Sequence, residues 1–234
     1  MMEITYRPQT AQEAWDYMLR GHANYHKKLK HFGYGYEGNI PNHPMLMEIY
    51  GQEHPTEEQV AECKELFFNE IYNEADLRRL DPVIEQQGIP GLLHAASVLE
   101  PVAKAPEHLR ILTAYGHGGT YDHVNRKITF RMAGGASGYP EGRVAGLLQH
   151  EYIHILIEQP VIIRHGVPQN LKERIVDIIG AEYFGIPVQK RFVNKFVDGY
   201  ITREAVENDL PGAVGKMMAE HRAVMARAAG RESL

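Results

Sequence analysis

The segment from Gly142 to Gln159 constrains the fold of this chain more than any other feature of the sequence. It is the strongest predicted helix, and its apolar residues are Val144, Leu147, Leu148, Ile153, Ile155, Leu156 and Ile157. Pro160 is predicted to end the helix, because proline cannot continue helical hydrogen bonding. A helix this apolar is expected to lie in the interior of the protein.

Three polar side chains interrupt this apolar helix: His150, Glu151 and His154 form the pattern H-E-x-x-H. Residues four apart on a helix differ by about 40° around the axis and about 6 Å along it, so both imidazoles can converge on one metal ion. Glu151 lies about 100° away, where its carboxylate can take a proton from water without ligating the ion. Burial of the three groups is costly unless they are satisfied, and a divalent ion satisfies all of them. The alternative is a pair of core histidines bonded to backbone carbonyls.

A catalytic zinc site needs a third protein ligand. Glu158 follows on the same helical line but is one turn too far from His150 to share an ion with it. A histidine six residues after His154 is excluded because that position is Pro160. Cys63 lies nearly ninety residues upstream in a predicted helix and fits a core position better than a thiolate ligand.

A second predicted helix, from Pro168 to Phe184, carries the third ligand. Glu173 and Asp177 are one turn apart and face the same way, so Glu173 can ligate the metal while Asp177 accepts an N–H from a ligand imidazole. Glu182 is the alternative ligand. Without a metal, Glu173 is read as a solvated carboxylate favoured by the helix dipole.

The two histidines of one helix, followed after 18 intervening residues by E-x-x-x-D on the next, resemble the gluzincin branch of zinc metallopeptidases. The resemblance covers about residues 127–184. It implies that His150, His154 and Glu173 bind Zn²⁺, that Glu151 is general base and acid, and that Asp177 orients His150.

The same resemblance implies a second electrophile for the oxyanion, a Tyr or His from outside the two zinc helices. We favour His165, in the loop that connects the two helices, and Tyr139, in the glycine-rich approach to the first of them. Four other residues fit this role by position: His117, Tyr121, His123 and Tyr183.

The remaining sequence predicts an α+β protein with a mostly helical, zincin-like fold. Residues 1–105 read as a helical accessory region, with N-terminal capping boxes at Thr10 and Thr56. Residues 106–234 form the predicted catalytic region. There, 109–115 and 127–132 predict a small antiparallel sheet next to the active-site helix, with 127–132 as an edge strand for an extended substrate. The glycine-rich residues 134–142 are either a mobile rim or a plain linker.

Charge and cysteine content limit the partners. The 234 residues carry a formal net charge of −5, and the only cationic run, from His26 to His31, reads as a solvated helix face, so we expect no nucleic-acid partner. One cysteine, and no apolar segment of about 18 residues, favour a cytoplasmic protein without membrane contact.

These features together predict a zinc-dependent peptidase that acts on peptides or proteins. Two alternatives stay open: a non-catalytic protein that uses the same metal helices structurally or for binding, and a metal hydrolase with a different substrate. The sequence leaves the oligomeric state undetermined. Its last segment, 210–231, predicts a helix packed on the body or a dimer contact.

Overall fold

The computed structural model describes residues 2–27, 29–32, 41, 43–116, 118–132 and 143–231. Most of these residues are helical and one small sheet is present, which confirms the predicted α+β class. The elements before residue 100 are β1 (Glu3–Pro8), α1 (Ala11–Lys27), α2 (Pro44–Gly51), α3 (Glu57–Leu66), α4 (Glu74–Leu77), α5 (Asp81–Val83) and α6 (Ile89–Val98). The later elements are β2 (His108–Tyr115), β3 (Gly118–Asp122), β4 (Lys127–Met132), α7 (Val144–Ile157), α8 (Gln169–Phe184), α9 (Lys195–Asp198) and α10 (Arg203–Arg231).

The sheet is mixed, and the prediction of an antiparallel sheet is therefore wrong. The strand order is β1-β2-β4-β3. Strand β2 pairs in parallel with both β1 and β4, whereas β3 and β4 form an antiparallel hairpin. Turn residues show where the chain reverses, but they do not show which earlier strand each new strand joins.

Strand β1 corrects the expectation that the first hundred residues are helices joined by loops. Glu3 pairs with His108 and Pro8 with Thr113. A parallel pair of strands so far apart in sequence has no connecting turn to reveal it. Strand β1 belongs to the predicted accessory region and β2 to the predicted catalytic region; the division between these regions stays a prediction.

Strand β3 packs against helix α7 more extensively than β4 does. Residues 127–132 were expected at the edge of the sheet, but β4 lies between β2 and β3. Strand β3 occupies that edge of the described sheet and packs along α7. The hairpin places β3 outside β4 although β3 comes first in the chain.

Helix α7 lies in the interior, as its apolar sequence predicts, and most of its residues are buried. The chain does not leave the helix at Pro160, so that expectation is wrong. It continues as a π-helical segment, Glu158–Ile163, that contains the proline. The wider π turn gives the proline ring space that a regular α-helix would deny it.

Local helix signals are confirmed at both predicted capping boxes. The Thr10 hydroxyl accepts from the backbone N–H of Glu13, whose carboxylate accepts from the N–H of Thr10. Thr56 and Gln59 exchange the same two bonds. Each box satisfies two donors that helix geometry leaves without partners.

The buried apolar residues form two clusters. The larger surrounds α7 and includes side chains from β2, β4, α6, α8 and α10. The smaller is built around Trp15 and Phe67 and also contains Cys63, which confirms the cysteine as a core residue. Tyr115, at the end of β2, belongs to the smaller cluster and joins it to the sheet.

Helix α10 packs on the body through its middle part, as predicted for this segment. The chain bends at Asp209, and Val214, Met217 and Met218 beyond the bend are buried. Val224 and Met225, farther along, are exposed. Across the described residues, the search for a helix with the length and apolar character of a membrane span found none.

Candidate metal centre

Two neighbouring helices bring the three predicted ligands together. Helix α7 carries His150 and His154 one turn apart, and α8, which packs against it, carries Glu173. The Nε2 atoms of the two histidines are 3.3 Å apart, and Oε2 of Glu173 is 3.6 Å from each of them. All three residues are buried. Among the described residues, they are the group of three whose ligand atoms could hold a metal ion.

The spacing of these atoms fits a small divalent cation. A triangle with sides of 3.3, 3.6 and 3.6 Å has a centre about 2.0 Å from each corner, which is the distance zinc keeps from nitrogen and oxygen ligands. Two imidazoles and one carboxylate are also a donor set found in catalytic zinc sites. The described residues supply three such ligands, the number that a catalytic zinc takes from the protein.

Charge compensation holds the cluster together. Burial raises the pKa of Glu173, but the two imidazoles 3.6 Å from its carboxylate outweigh burial and hold that pKa well below its usual value. Burial lowers the pKa of His150, but Glu173 and the neighbouring carboxylates of Glu151 and Asp177 raise it overall. A positive charge is therefore favoured among these carboxylates.

Glu151 lies beside the ligand triangle and against strand β3. It is 7% exposed, so its carboxylate is largely removed from bulk water. A Cβ atom built on Gly119 of β3 would lie 2.6 Å from Oε1 of Glu151. The carboxylate thus occupies the space that the missing side chain of Gly119 leaves.

Asp177 stands on the far side of His150, as its spacing predicts. Its Oδ1 is 3.9 Å from Nδ1 of His150, close but longer than a hydrogen bond. The Asp177 carboxylate accepts hydrogen bonds from the backbone N–H and the side-chain amide of Gln189. Burial raises the pKa of Asp177. Gln189 therefore fixes the carboxylate that faces His150.

Tyr121 of strand β3 covers His154. The two rings are stacked with centroids 4.5 Å apart and an angle of 5° between their planes. The Tyr121 hydroxyl donates to Glu158 at 2.7 Å and accepts from Lys172 at 2.8 Å. Burial and Glu158 raise the pKa of Tyr121, so the phenol stays protonated.

Sequence reasoning missed three of these supporting contacts. The sequence analysis named Tyr121 as an oxyanion candidate and not as a partner of His154. Tyr121 follows Gly119 by two residues, so both residues lie on one face of β3. Gln169 donates to Oε1 of Glu173 at 2.6 Å, and its position four residues earlier on α8 is a signal that helical spacing offers. The contact of Gln189 with Asp177 has no such local signal.

Of the two favoured oxyanion residues, only His165 lies in the described part of the chain, and no described contact joins it to this group. His165 lies in a helical stretch, not in a loop, and its ring packs against Gly215 of α10: a Cβ built on Gly215 would lie 3.1 Å from Cε1 of His165. Tyr139, His117 and the glycine-rich residues 134–142 lie outside the described residues. The roles of His165 and Tyr139 stay predictions.

The other candidates have partners elsewhere or lie apart. Glu158 accepts from Tyr121 and is not in the ligand group, as its spacing predicts. Glu182, the alternative ligand, is exposed and pairs with Arg203 at 3.4 Å. The hydroxyl of Tyr183 donates to Glu207. His123 lies in the turn between β3 and β4.

Comparisons with protein-family models, curated proteins and solved structures gave no match to this chain. The functional conclusion therefore rests on the residues of α7, α8 and β3. They form a buried group of three side chains that could hold a metal ion, with one more carboxylate beside it.

Proposed function

We propose that this protein is a zinc-dependent peptidase with a zincin-like fold. The observation that carries the proposal is the ligand triangle of His150, His154 and Glu173, with Glu151 next to it but outside the coordinating set. An edge strand beside the metal-binding helix also supports it, because such a strand can hold an extended peptide by main-chain hydrogen bonds.

The residues divide the chemistry among them. His150, His154 and Glu173 would hold the zinc ion, which when bound would supply Lewis-acid activation of water and of the scissile carbonyl. Glu151 removes the proton from the attacking water and delivers it to the leaving amine, as a positioned general base and acid does. Gln169 and Asp177 act through the ligands: the first holds the Glu173 carboxylate and the second faces the rear nitrogen of His150.

The edge strand β3 also supports a peptide or protein as the substrate. An extended segment of a peptide or protein aligned along β3 would pass close to Glu151, which packs against that strand. The net charge of −5 and the single cysteine support a cytoplasmic protein whose partners are peptides, not nucleic acids or membranes.

A structural metal site is the main alternative, and the donor count distinguishes the two. Structural zinc has four protein ligands, whereas catalytic zinc has three and keeps one position open. The described residues supply three. This count supports turnover over a purely structural role.

The Glu151→Gln variant tests the proposal. We expect the purified protein to bind about one zinc per chain by elemental analysis and to hydrolyse a mixed peptide library. Glu151→Gln should keep the metal and lose about 10²- to 10⁴-fold in activity, the usual contribution of a general base. Full hydrolysis by this variant, or wild-type protein that takes up no metal, would rule out the proposed mechanism.

A further inference from the structure

The two imidazoles of the ligand triangle are supported differently behind the metal-binding face. A metal-ligating histidine usually donates its second ring N–H to a carboxylate or carbonyl, which fixes the ring orientation. Asp177 stands at that position for His150, 3.9 Å from Nδ1. Nδ1 of His154 is buried and has no hydrogen-bond partner among the described residues. No described side chain supports His154 from its Nδ1 side as Asp177 faces His150.

We propose that Tyr121 is a positioning residue that holds the His154 imidazole in its metal-binding orientation by ring stacking. The parallel rings, with centroids 4.5 Å apart, restrict rotation of the imidazole out of its plane. This inference rests on the metal centre of the proposed function and is independent of peptide hydrolysis.

The tyrosine can do this because its own ring is fixed. Its hydroxyl lies between two side chains from different helical segments, donating to Glu158 and accepting from Lys172. Glu158 and Lys172 also form an ion pair at 3.7 Å, with side chains only 12% and 11% exposed. Burial makes such a pair less subject to screening by solvent than a surface pair. The three residues therefore tether strand β3 to α8 and to the end of α7, across the face of His154.

The strand geometry supports a dedicated role for this position. Gly119 and Tyr121 face α7 from the same side of β3, since alternate residues of a strand share a face. Gly119 has no side chain, which leaves room for Glu151, and the flat ring of Tyr121 covers His154. One strand thus determines the surroundings of both a ligand and the proposed base.

Metal affinity measured without substrate tests the inference. We expect Tyr121→Leu to weaken zinc binding by about 10- to 100-fold, the usual effect of losing a support behind a ligand. Tyr121→Phe keeps the stacked ring and loses only the hydroxyl contacts that fix it, so its loss of affinity should be smaller than that of Tyr121→Leu. Competition with a chromophoric chelator measures the affinities, and Co²⁺ substitution should show a changed visible spectrum only in Tyr121→Leu. Tyr183→Leu, ten residues beyond Glu173 on α8, is the control for the loss of a tyrosine elsewhere.

Two outcomes overturn the inference and leave the proposed function intact: Tyr121→Leu with wild-type affinity and Co²⁺ spectrum, or equal losses in Tyr121→Phe and Tyr121→Leu. If Tyr121→Leu does not fold, the zinc-loaded wild type decides the question. Nuclear Overhauser contacts between the ring protons of Tyr121 and His154 are expected, and their absence would contradict the stacking role. A wild-type protein without metal affinity would instead overturn the proposed function.

Discussion

Gly119 and Glu151 pack so closely that no side chain fits between them. A Cβ atom on Gly119 would lie 2.6, 2.7 and 2.9 Å from Oε1, Cγ and Cδ of Glu151. The strand residue and the helix residue are 32 positions apart in the chain. Glycine at this point of β3 therefore sets where the proposed base stands.

Gly119→Ala should reduce the proposed peptidase activity and leave zinc binding unchanged. The new methyl group must displace the Glu151 carboxylate, and a misplacement of about 1 Å can cost about 100-fold in rate. The prediction is a fall of this size in kcat/KM with unchanged zinc content. Gly146→Ala on α7 is the matched control, because its Cβ would meet Ile186 at an ordinary 3.6 Å. Undiminished kcat/KM in metal-loaded Gly119→Ala would show that this contact does not position the base.

Glu173→Ala should abolish tight metal binding, whereas Glu182→Ala should not. Loss of a direct ligand should weaken zinc binding by about 100-fold or more. This loss exceeds the usual effect of removing a residue that only contacts a ligand. Free zinc at 100 times the wild-type Kd should raise the unfolding free energy of wild type by about 2.7 kcal/mol. Thermal or urea unfolding with and without zinc should show almost none of this gain in Glu173→Ala.

Glu182→Ala is the matched control for that comparison. Glu182 is the fallback ligand on the same helix, but it is exposed and pairs with Arg203. Its removal should leave both the zinc stoichiometry and the zinc-dependent stabilisation at wild-type values. The reverse result, with metal lost in Glu182→Ala and retained in Glu173→Ala, would mean that the ligand set is wrong.

The Arg7–Glu13 pair, which joins β1 to the start of α1, should make stability depend on pH in the acid range. The Arg7 guanidinium lowers the pKa of Glu13 from 4.5 to about 2. A carboxyl with a lower pKa in the folded state stabilises above its unfolded pKa, and the contribution fades as pH falls from about 4.5 to about 2. The side chains are 45% and 40% exposed, so solvent screening limits the coupling to about 0.2–1 kcal/mol.

A double-mutant cycle of Arg7→Gln and Glu13→Gln measures that coupling. Urea unfolding at pH 7 should give a positive coupling energy, and the value should shrink when the same cycle is repeated near pH 3. Glutamine at position 13 retains the hydrogen-bonding groups of the capping box, so the cycle isolates the charge. A coupling energy equal at both pH values would contradict the ionic origin of the contact.

Local sequence was enough to predict helices α7 and α8 and the candidate ligands that they carry. His150 and His154 share a helix face because they are four residues apart, and Gly185 ends α8 in a left-handed conformation, as a glycine after a helix often does. Short-range geometry fixes these relationships wherever the helix lies. The pairing of Glu173 with that face needed a resemblance to a known family as well, because two helices can pack in many ways.

Tertiary structure alone decided the surroundings of these residues. The parallel pairing of β1 with β2 joins residues 105 positions apart, and the stacking of Tyr121 on His154 joins residues 33 apart. The place of β3 at the edge depends on the parallel pairing of β4 with β2. No periodicity or turn signal encodes such contacts, because they depend on how the whole core packs. The sequence by itself therefore determined which residues are candidate metal ligands, and the fold decided what supports them and where the proposed base stands.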